Sequence, residues 1–321
     1  MAHSLLALFN LMKQLRLQQT IRRPVKCTGV GLHSGARVAL SLLPAPPDSG
    51  IVFIRKDVDA GVKVDALIKN IRPALLSTVV GVDGVQVHTT EHVLAAATGL
   101  GIDNLYIEVD APELPVMDGS AAPFVKMMLD SGISTQERSR AFLKIVRPIE
   151  VSDGDKSISI RPASTSSITY TIDYDHPMIR RQGYRYRESQ EAFVRDIAPA
   201  RTFGFLREVE ALWDAGLGLG GSLENTLILS DDGLLNEEGL RFSNEFVRHK
   251  ILDLIGDMAL LGLPFIGELV AVRSGHALHA RLVDKILESR DNWILLSTDT
   301  MVPAGRASHL SPAFVASPER G

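Results

Sequence analysis

Three residues stand four apart in one stretch of the chain: His249, Asp253 and Asp257. On an α-helix, steps of four keep side chains on one face, so all three project into the same volume. An imidazole and a carboxylate one turn apart form a good pair for Zn²⁺, the logic of helical HExxH sites. Without an ion, the same pair is an ordinary helix-stabilising contact. Thr89-Thr90-Glu91-His92 offers a further ligand. A catalytic zinc site takes three protein donors and leaves its fourth position to water, whose pKa the ion lowers. Glu91, next to His92, suits taking that water's proton. The segment also reads as a plain helix start, with Thr90 capping and Glu91 favouring the dipole. Ser274-Gly275-His276 falls where a strand gives way to a helix. A histidine there could protonate a leaving amine with Asp257 holding it charged, or be an ordinary histidine in a turn. His279, three residues on, reads as helix surface.

Two glycine-rich stretches carry less. Gly216–Gly221 matches GxGxxG, but it follows a helix rather than a strand, which argues against dinucleotide binding. Gly29–Gly35 lacks the Lys-Ser/Thr of a P-loop and reads as a tight turn that lets a ligand approach the backbone.

Elements must position these groups. Between Val25 and Asp65, alternation such as Val38, Leu40 and Leu42 predicts short strands. A helix is expected over Thr90–Thr98, a strand over Leu105–Val109, and a helix after Ser120 running to about Asp130. Gly132–Arg140 is polar and aperiodic and reads as a linker. Beyond it, strands are expected over Leu143–Val151, Ser157–Arg161, Ser167–Tyr174 and Glu268–Val272. Helices are expected over Glu188–Ile197, Leu206–Ala215, Ser243–Leu261 and from Ser274-Gly275 to about Glu288. Strands and helices mix without strict βαβ alternation, so the expected class is α+β. No internal repeat is visible. The 321 residues exceed a single core, and the expected units are residues 20–131 and 141–303, between an N-terminal extension (1–19) and a tail (304–321).

With 45% hydrophobic and 22% charged residues, the chain can bury a large core. A net charge of -4 gives no reason to expect nucleic acid as a partner. The single cysteine, Cys27, excludes an internal disulfide framework and fits a reducing compartment. Residues 1–47 hold six Lys or Arg and no acid, and Leu5, Leu8, Phe9, Met12 and Leu15 recur at helical spacing. A basic amphipathic helix over Ser4–Gln18 would touch a membrane surface. A dispensable extension and a transit peptide are the other readings.

Several segments together closely resemble the UDP-3-O-acyl-N-acetylglucosamine deacetylases, zinc amidases of lipid A synthesis. They are Thr28-Gly-Val-Gly-Leu-His33-Ser-Gly35, Thr90-Glu91-His92, Gly101-Ile-Asp-Asn104, Met117-Asp-Gly-Ser-Ala-Ala-Pro-Phe124, Ala200-Arg-Thr-Phe-Gly-Phe205, Gly220-Gly-Ser222, Leu240-Arg-Phe242, Val247-Arg-His-Lys-Ile-Leu-Asp253 and Ser274-Gly-His-Ala-Leu278. The resemblance implies two domains, each a β-sheet layered against two helices, with the active site between them. It implies His92, His249 and Asp253 as zinc ligands, Glu91 as general base and His276 as general acid supported by Asp257. Thr202 would help to stabilise the oxyanion. Lys250 would meet the substrate diphosphate, Phe203 the sugar and Tyr174 the uracil, with His33 also in the pocket. Leu75 and Leu76 would line an apolar passage for the acyl chain.

The implied reaction is hydrolysis of the N-acetyl group of a UDP-linked acylated amino sugar, the committed step of lipid A biosynthesis, in the cytoplasm or peripherally at the inner membrane. A hard His₂Asp site also accepts Fe²⁺. Another metal-dependent amidase, or a binding protein with a structural metal, are the competing readings; Glu91 and His276 argue against the latter.

Overall fold

A computed structural model describes residues 17–58 and 61–297. Strand β1 (Leu17–Ile21) leads into β2 (Val25–Val30), β3 (Arg37–Pro44), β4 (Ile51–Arg55) and β5 (Val62–Asp65). A small sheet of β6 (Ile71–Arg72), β7 (Val79–Val82) and β8 (Val85–Val87) follows. Then come helix α1 (Glu91–Leu100), strand β9 (Leu105–Val109) and helix α2 (Ala122–Ser131). The sheet order is β2-β3-β9-β4-β5, with only β4 and β9 parallel. Val38, Leu40 and Leu42 on β3 and Leu105, Ile107 and Val109 on β9 are buried, as the alternation requires. Gly101 stops α1 in the left-handed region (φ 73°), and the Ser120 hydroxyl accepts from Ala122 N–H at the start of α2.

The rest of the chain repeats this pattern. After β10 (Ile133–Ser139) and β11 (Phe142–Ile145) come β12 (Ile149–Asp153), β13 (Lys156–Arg161), β14 (Ser167–Tyr174) and β15 (Arg180–Arg187). An insertion holds β16 (Phe203–Phe205), α3 (Val209–Asp214) and β17 (Leu227–Leu229). Helix α4 (Glu245–Met258), β18 (Phe265–Ile266), β19 (Glu268–Val272), α5 (His276–Glu288) and β20 (Trp293–Leu296) complete it. The second sheet runs β12-β13-β19-β14-β15, again with one parallel pair, β14 and β19. Each half is thus four strands, an insertion, a helix, a strand placed at the sheet centre, and a closing helix. The repeat lies in connectivity rather than in residue identity. The class is α+β, as expected.

Several expectations need correction. Gly132–Arg140 is no loose linker: Ile133–Ser139 form β10, antiparallel to β1. Leu143–Val151 is two strands, broken before Pro148, whose missing N–H interrupts a ladder. Arg180–Arg187 is the edge strand β15, hidden in the sequence by its charged outer face. Glu188–Ile197 is a short α-turn over Gln190–Ala192 and a π-helical turn over Phe193–Ile197, and Leu206–Ala215 is helical from Val209 only after a 3₁₀ turn. Of the helix expected over Ser4–Gln18, residues 1–16 lie outside the described residues, whereas Leu17 and Gln18 open β1. The tail from residue 304 also lies outside them. No helix among the described residues is long and apolar enough to cross a membrane.

Helices α1 and α4 pack across the two halves, and Gly256 sets how close they come. A Cβ on Gly256 would stand 2.1 Å from the Glu91 carbonyl oxygen, with helix backbone that cannot swing aside. Gly256→Ala is therefore expected to push α1 off α4, lowering stability by roughly 1–3 kcal/mol and depressing activity well beyond the fraction unfolded. Urea denaturation and turnover of the folded variant check this.

Candidate active site

The closely packed ends of α1 and α4 bring the singled-out residues together. Glu91 and His92 open α1, and His249, Asp253 and Asp257 follow along one face of α4; all five are buried. His276 begins α5.

His249 Nε2 lies 3.3 Å from Asp253 Oδ1, and His92 Nε2 lies 3.8 Å from the same oxygen. Two donors about 2.1 Å from a tetrahedral ion are themselves roughly 3.4 Å apart, which these separations approach. The electrostatics agree. Burial pushes the His92 imidazole down to about 3, helped by the neighbouring His249 ring, and burial also lowers His249. Both rings are then neutral lone-pair donors at neutral pH. Asp253 stays ionised: burial opposes its charge, but the neighbouring groups, the Lys250 ammonium at 2.6 Å among them, more than compensate and hold it below the usual carboxylate range. His249 Nδ1 faces the Ala200 carbonyl at 3.0 Å, so Nδ1 carries the proton and Nε2 is bare. His92 Nδ1 is buried without a hydrogen-bond partner. The trio can hold a divalent cation, and its donor set fits one.

Acid–base groups flank the trio. Glu91 Oε2 accepts from Thr78 N–H at 3.0 Å. Burial lifts its carboxyl to about 7, with Asp253 and Asp257 adding to the rise against His276. Such a carboxylate can both take and return a proton near neutrality. His276 Nδ1 lies 2.7 Å from Asp257 Oδ2. Burial opposes its charge, but Asp257 outweighs this and raises His276 to about 9. Asp257 in turn is held low by His276 and His279 despite its burial. One group is thus poised to accept a proton and another to give one.

The remaining candidates fall into place unevenly. Phe203 packs 6.3 Å from the His249 ring, centroid to centroid, and so borders the trio, and Tyr174 packs behind it at 5.8 Å. Thr202 is seated by the Met117–Phe124 segment: its N–H donates to Gly119 O at 2.8 Å. Lys250 donates to Asp253 Oδ2 at 2.6 Å. Leu75 and Leu76 are exposed in the loop leading to Thr78. His33 has a buried, unpartnered Nδ1, and its N–H donates to Glu113, which also holds Thr89 just before α1. Thr90 does not cap α1 with its side chain; the hydroxyl donates to Thr78 O.

Sequence reasoning missed Thr78, whose hydroxyl donates to Asp257 Oδ1 and whose N–H holds Glu91. No motif marks it. It also misplaced His279, which is fully buried and 2.6 Å from Asp257 Oδ2 rather than on the surface. The i+3 spacing from His276 was the available signal.

Strained backbone precedes three of the site segments. Thr89 (φ 57°), Met117 (φ 56°) and Arg273 (φ 51°) are left-handed just before Thr90-Glu91-His92, Asp118-Gly119 and Ser274-Gly275-His276. For a β-branched residue such as Thr89 this costs on the order of 1–3 kcal/mol. Glu113 offsets it: the buried carboxylate accepts from Thr89 Oγ1 at 3.0 Å and from the His33 and Ser34 N–H groups at 2.8 and 2.7 Å. Glu113→Ala is expected to cost about 2 kcal/mol of stability, since it leaves the buried Thr89 hydroxyl and the half-buried His33 N–H without their acceptor. Chemical denaturation measures it.

Comparison with known proteins agrees with this geometry. The model of the family described as LpxC, UDP-3-O-acyl N-acetylglycosamine deacetylase, matches residues 18–288. The chain belongs to this deacetylase family. Proteins named UDP-3-O-acyl-N-acetylglucosamine deacetylase are similar to it along most of their length. The one from Myxococcus xanthus is 49% identical over 270 residues, 84% of this chain and 86% of that protein. The one from Anaeromyxobacter sp. (strain Fw109-5) is 48% identical over 291 residues, covering 90% and 95%. The one from Syntrophus aciditrophicus is 45% identical over 280 residues, covering 87% and 89%. The deacetylase segments quoted from the sequence lie within the matched span, and among them are the trio, Glu91 and His276.

Proposed function

We propose that this chain is a metal-dependent amidohydrolase that removes the N-acetyl group from UDP-3-O-acyl-N-acetylglucosamine, giving UDP-3-O-acyl-glucosamine and acetate. The observation that carries the reading is the arrangement of two neutral imidazoles and one carboxylate at ion-binding separations, flanked by a carboxylate near 7 and an imidazolium near 9. Family membership supports the substrate.

His92, His249 and Asp253 would hold the ion, with Zn²⁺ as the proposed occupant and Fe²⁺ as an acceptable one. When bound, the ion polarises the amide carbonyl and acidifies water beside it. Glu91 takes a proton from the attacking water, whose oxygen adds to the acetamide carbon. The C–N bond then breaks as His276 Nε2 gives its proton to the departing amine, while Asp257 keeps Nδ1–H oriented. The Thr202 hydroxyl faces the oxygen on which negative charge develops. Lys250 meets the diphosphate with the protons it does not spend on Asp253, Phe203 packs on the sugar and Tyr174 on the uracil. His33 lines the same pocket, and Leu75 and Leu76 border the acyl chain. The two units would be residues 20–131 and 141–303, with the site between them and β10 tying the second to the first.

The substrate assignment has a direct check. Acetate release from UDP-3-O-acyl-N-acetylglucosamine should exceed release from the same sugar nucleotide without its acyl chain by a hundredfold or so, because burying the chain adds binding at about 0.8 kcal/mol per CH₂. Equal rates would show that the acyl chain is not recognised and would count against the acylated sugar nucleotide as the substrate.

The cytoplasm is the proposed location, supported by the single cysteine, with peripheral contact at the inner membrane through the basic N-terminal segment as the further reading. Because β1 begins at Leu17, the test removes residues 1–16. Turnover on soluble substrate should hold within about twofold, while sedimentation with anionic vesicles at low salt should be lost. Equal sedimentation of both forms would leave the segment without a membrane role.

A further inference from the structure

His279 has no task in that mechanism, yet it is fully buried one turn into α5. Its Nδ1 lies 2.6 Å from Asp257 Oδ2, the same oxygen that His276 Nδ1 meets at 2.7 Å. Its Nε2 lies 3.0 Å from Ser274 Oγ, and Tyr170 OH donates to the Ser274 carbonyl at 2.7 Å. The Ser274 carbonyl only accepts, so the single Tyr170 hydroxyl proton goes there. Ser274 Oγ also stands 3.0 Å from the Tyr170 hydroxyl oxygen, so its proton has two acceptors, Tyr170 and His279 Nε2. The ionised Asp257 carboxylate only accepts, which puts a His279 ring proton on Nδ1, directed at Asp257. Burial keeps His279 neutral, so it is a donor to Asp257 and not a second cation.

With the Thr78 hydroxyl on Oδ1, the Asp257 carboxylate is fixed at both oxygens. His276 must therefore offer Nδ1–H to Oδ2, which leaves its Nε2 proton free for chemistry. We propose that His279 is a positioning residue: it locks the Asp257 carboxylate, and through it orients His276 for proton delivery to the leaving amine. The role rests on the reading of His276 as the acid.

His279 also moderates the carboxylate. Each N–H donated to Asp257 stabilises its negative charge and weakens its hold on the His276 proton. Other groups facing the pair are Glu91 and His92 from α1, Lys250 and Asp253 from α4, and Tyr170 from β14. All of them stay in place when His279 is changed, so a shift can be assigned to the lost donor.

The test compares His279→Leu and His279→Asn with the parent in metal-loaded form, reading kcat/KM from pH 5 to 10 alongside metal content. Leu removes the donor; Asn places an N–H where Nδ1 was and loses only the link to Ser274. In His279→Leu, kcat/KM should fall roughly tenfold at full metal content, and its basic limb should move up by about half a unit. His279→Asn should recover most of the loss and return the limb. A merely structural role would lower the amplitude through unfolding without moving the limb.

Should the Leu variant fail to fold, the Asn variant decides: near-parent activity supports the role, and a folded, metal-loaded Asn variant as slow as expected for Leu overturns it. A His279→Leu profile superimposable on the parent's overturns it as well. A parent that releases no acetate overturns the reading of the site and this role together, whereas an active parent with an unaffected Leu variant faults this role alone.

Discussion

His92→Ala, His249→Ala and Asp253→Ala are each expected to abolish turnover and, with it, tight metal binding. Each removes one of three buried donors, and the separations of the two histidines from Asp253 approach those around a tetrahedral ion. The loss in affinity should be 10²-fold or more, on the order of 3 kcal/mol. His249→Ala also strands the Ala200 carbonyl that fixes its tautomer. Metal content of the purified variants, with circular dichroism to establish folding, checks the set. A folded variant with full metal content would remove its residue from the trio.

Glu91→Gln is expected to keep the metal and lose about 10²- to 10⁴-fold in kcat, because an amide cannot take the proton that the carboxylate takes. The parent should show a bell-shaped pH profile. The proposed roles need Glu91 ionised and His276 protonated, so activity should rise through the Glu91 value, about 7, and fall through the His276 value, about 9. A cation in the adjacent trio favours the ionised carboxylate, so in the loaded enzyme the acidic limb lies below 7. His276→Gln should flatten the basic limb and Glu91→Gln the acidic one. Near-parental turnover in Glu91→Gln would show that another group takes the proton.

Much of this site was legible in the sequence because it depends on short-range spacing. The i, i+4 rule placed His249, Asp253 and Asp257 on one face, and the adjacency of Glu91 and His92 survived into three dimensions because both open the same helix. The strand–helix junction likewise put His276 against Asp257.

What the sequence concealed depends on contacts distant along the chain. Thr78 is ordinary until β7 carries it beside both Glu91 and Asp257. His279 looked like surface because nothing local says that Tyr170 and Ser274 cover it. The repeated sheet order was invisible because connectivity, not residue identity, is what the halves share. Gly132–Arg140 read as a linker because β10 is polar on its exposed face and finds its partner, β1, more than a hundred residues away in the chain.

The most direct measurement of the central claim is acetate release from UDP-3-O-acyl-N-acetylglucosamine by the purified chain before stripping, after removal of metal with a chelator, and after adding back one equivalent of Zn²⁺. The expected result is turnover in the first state, loss of at least about 10²-fold in the second and recovery in the third, with no recovery when Asp253→Ala is treated identically. Turnover that survives complete removal of metal would contradict the account.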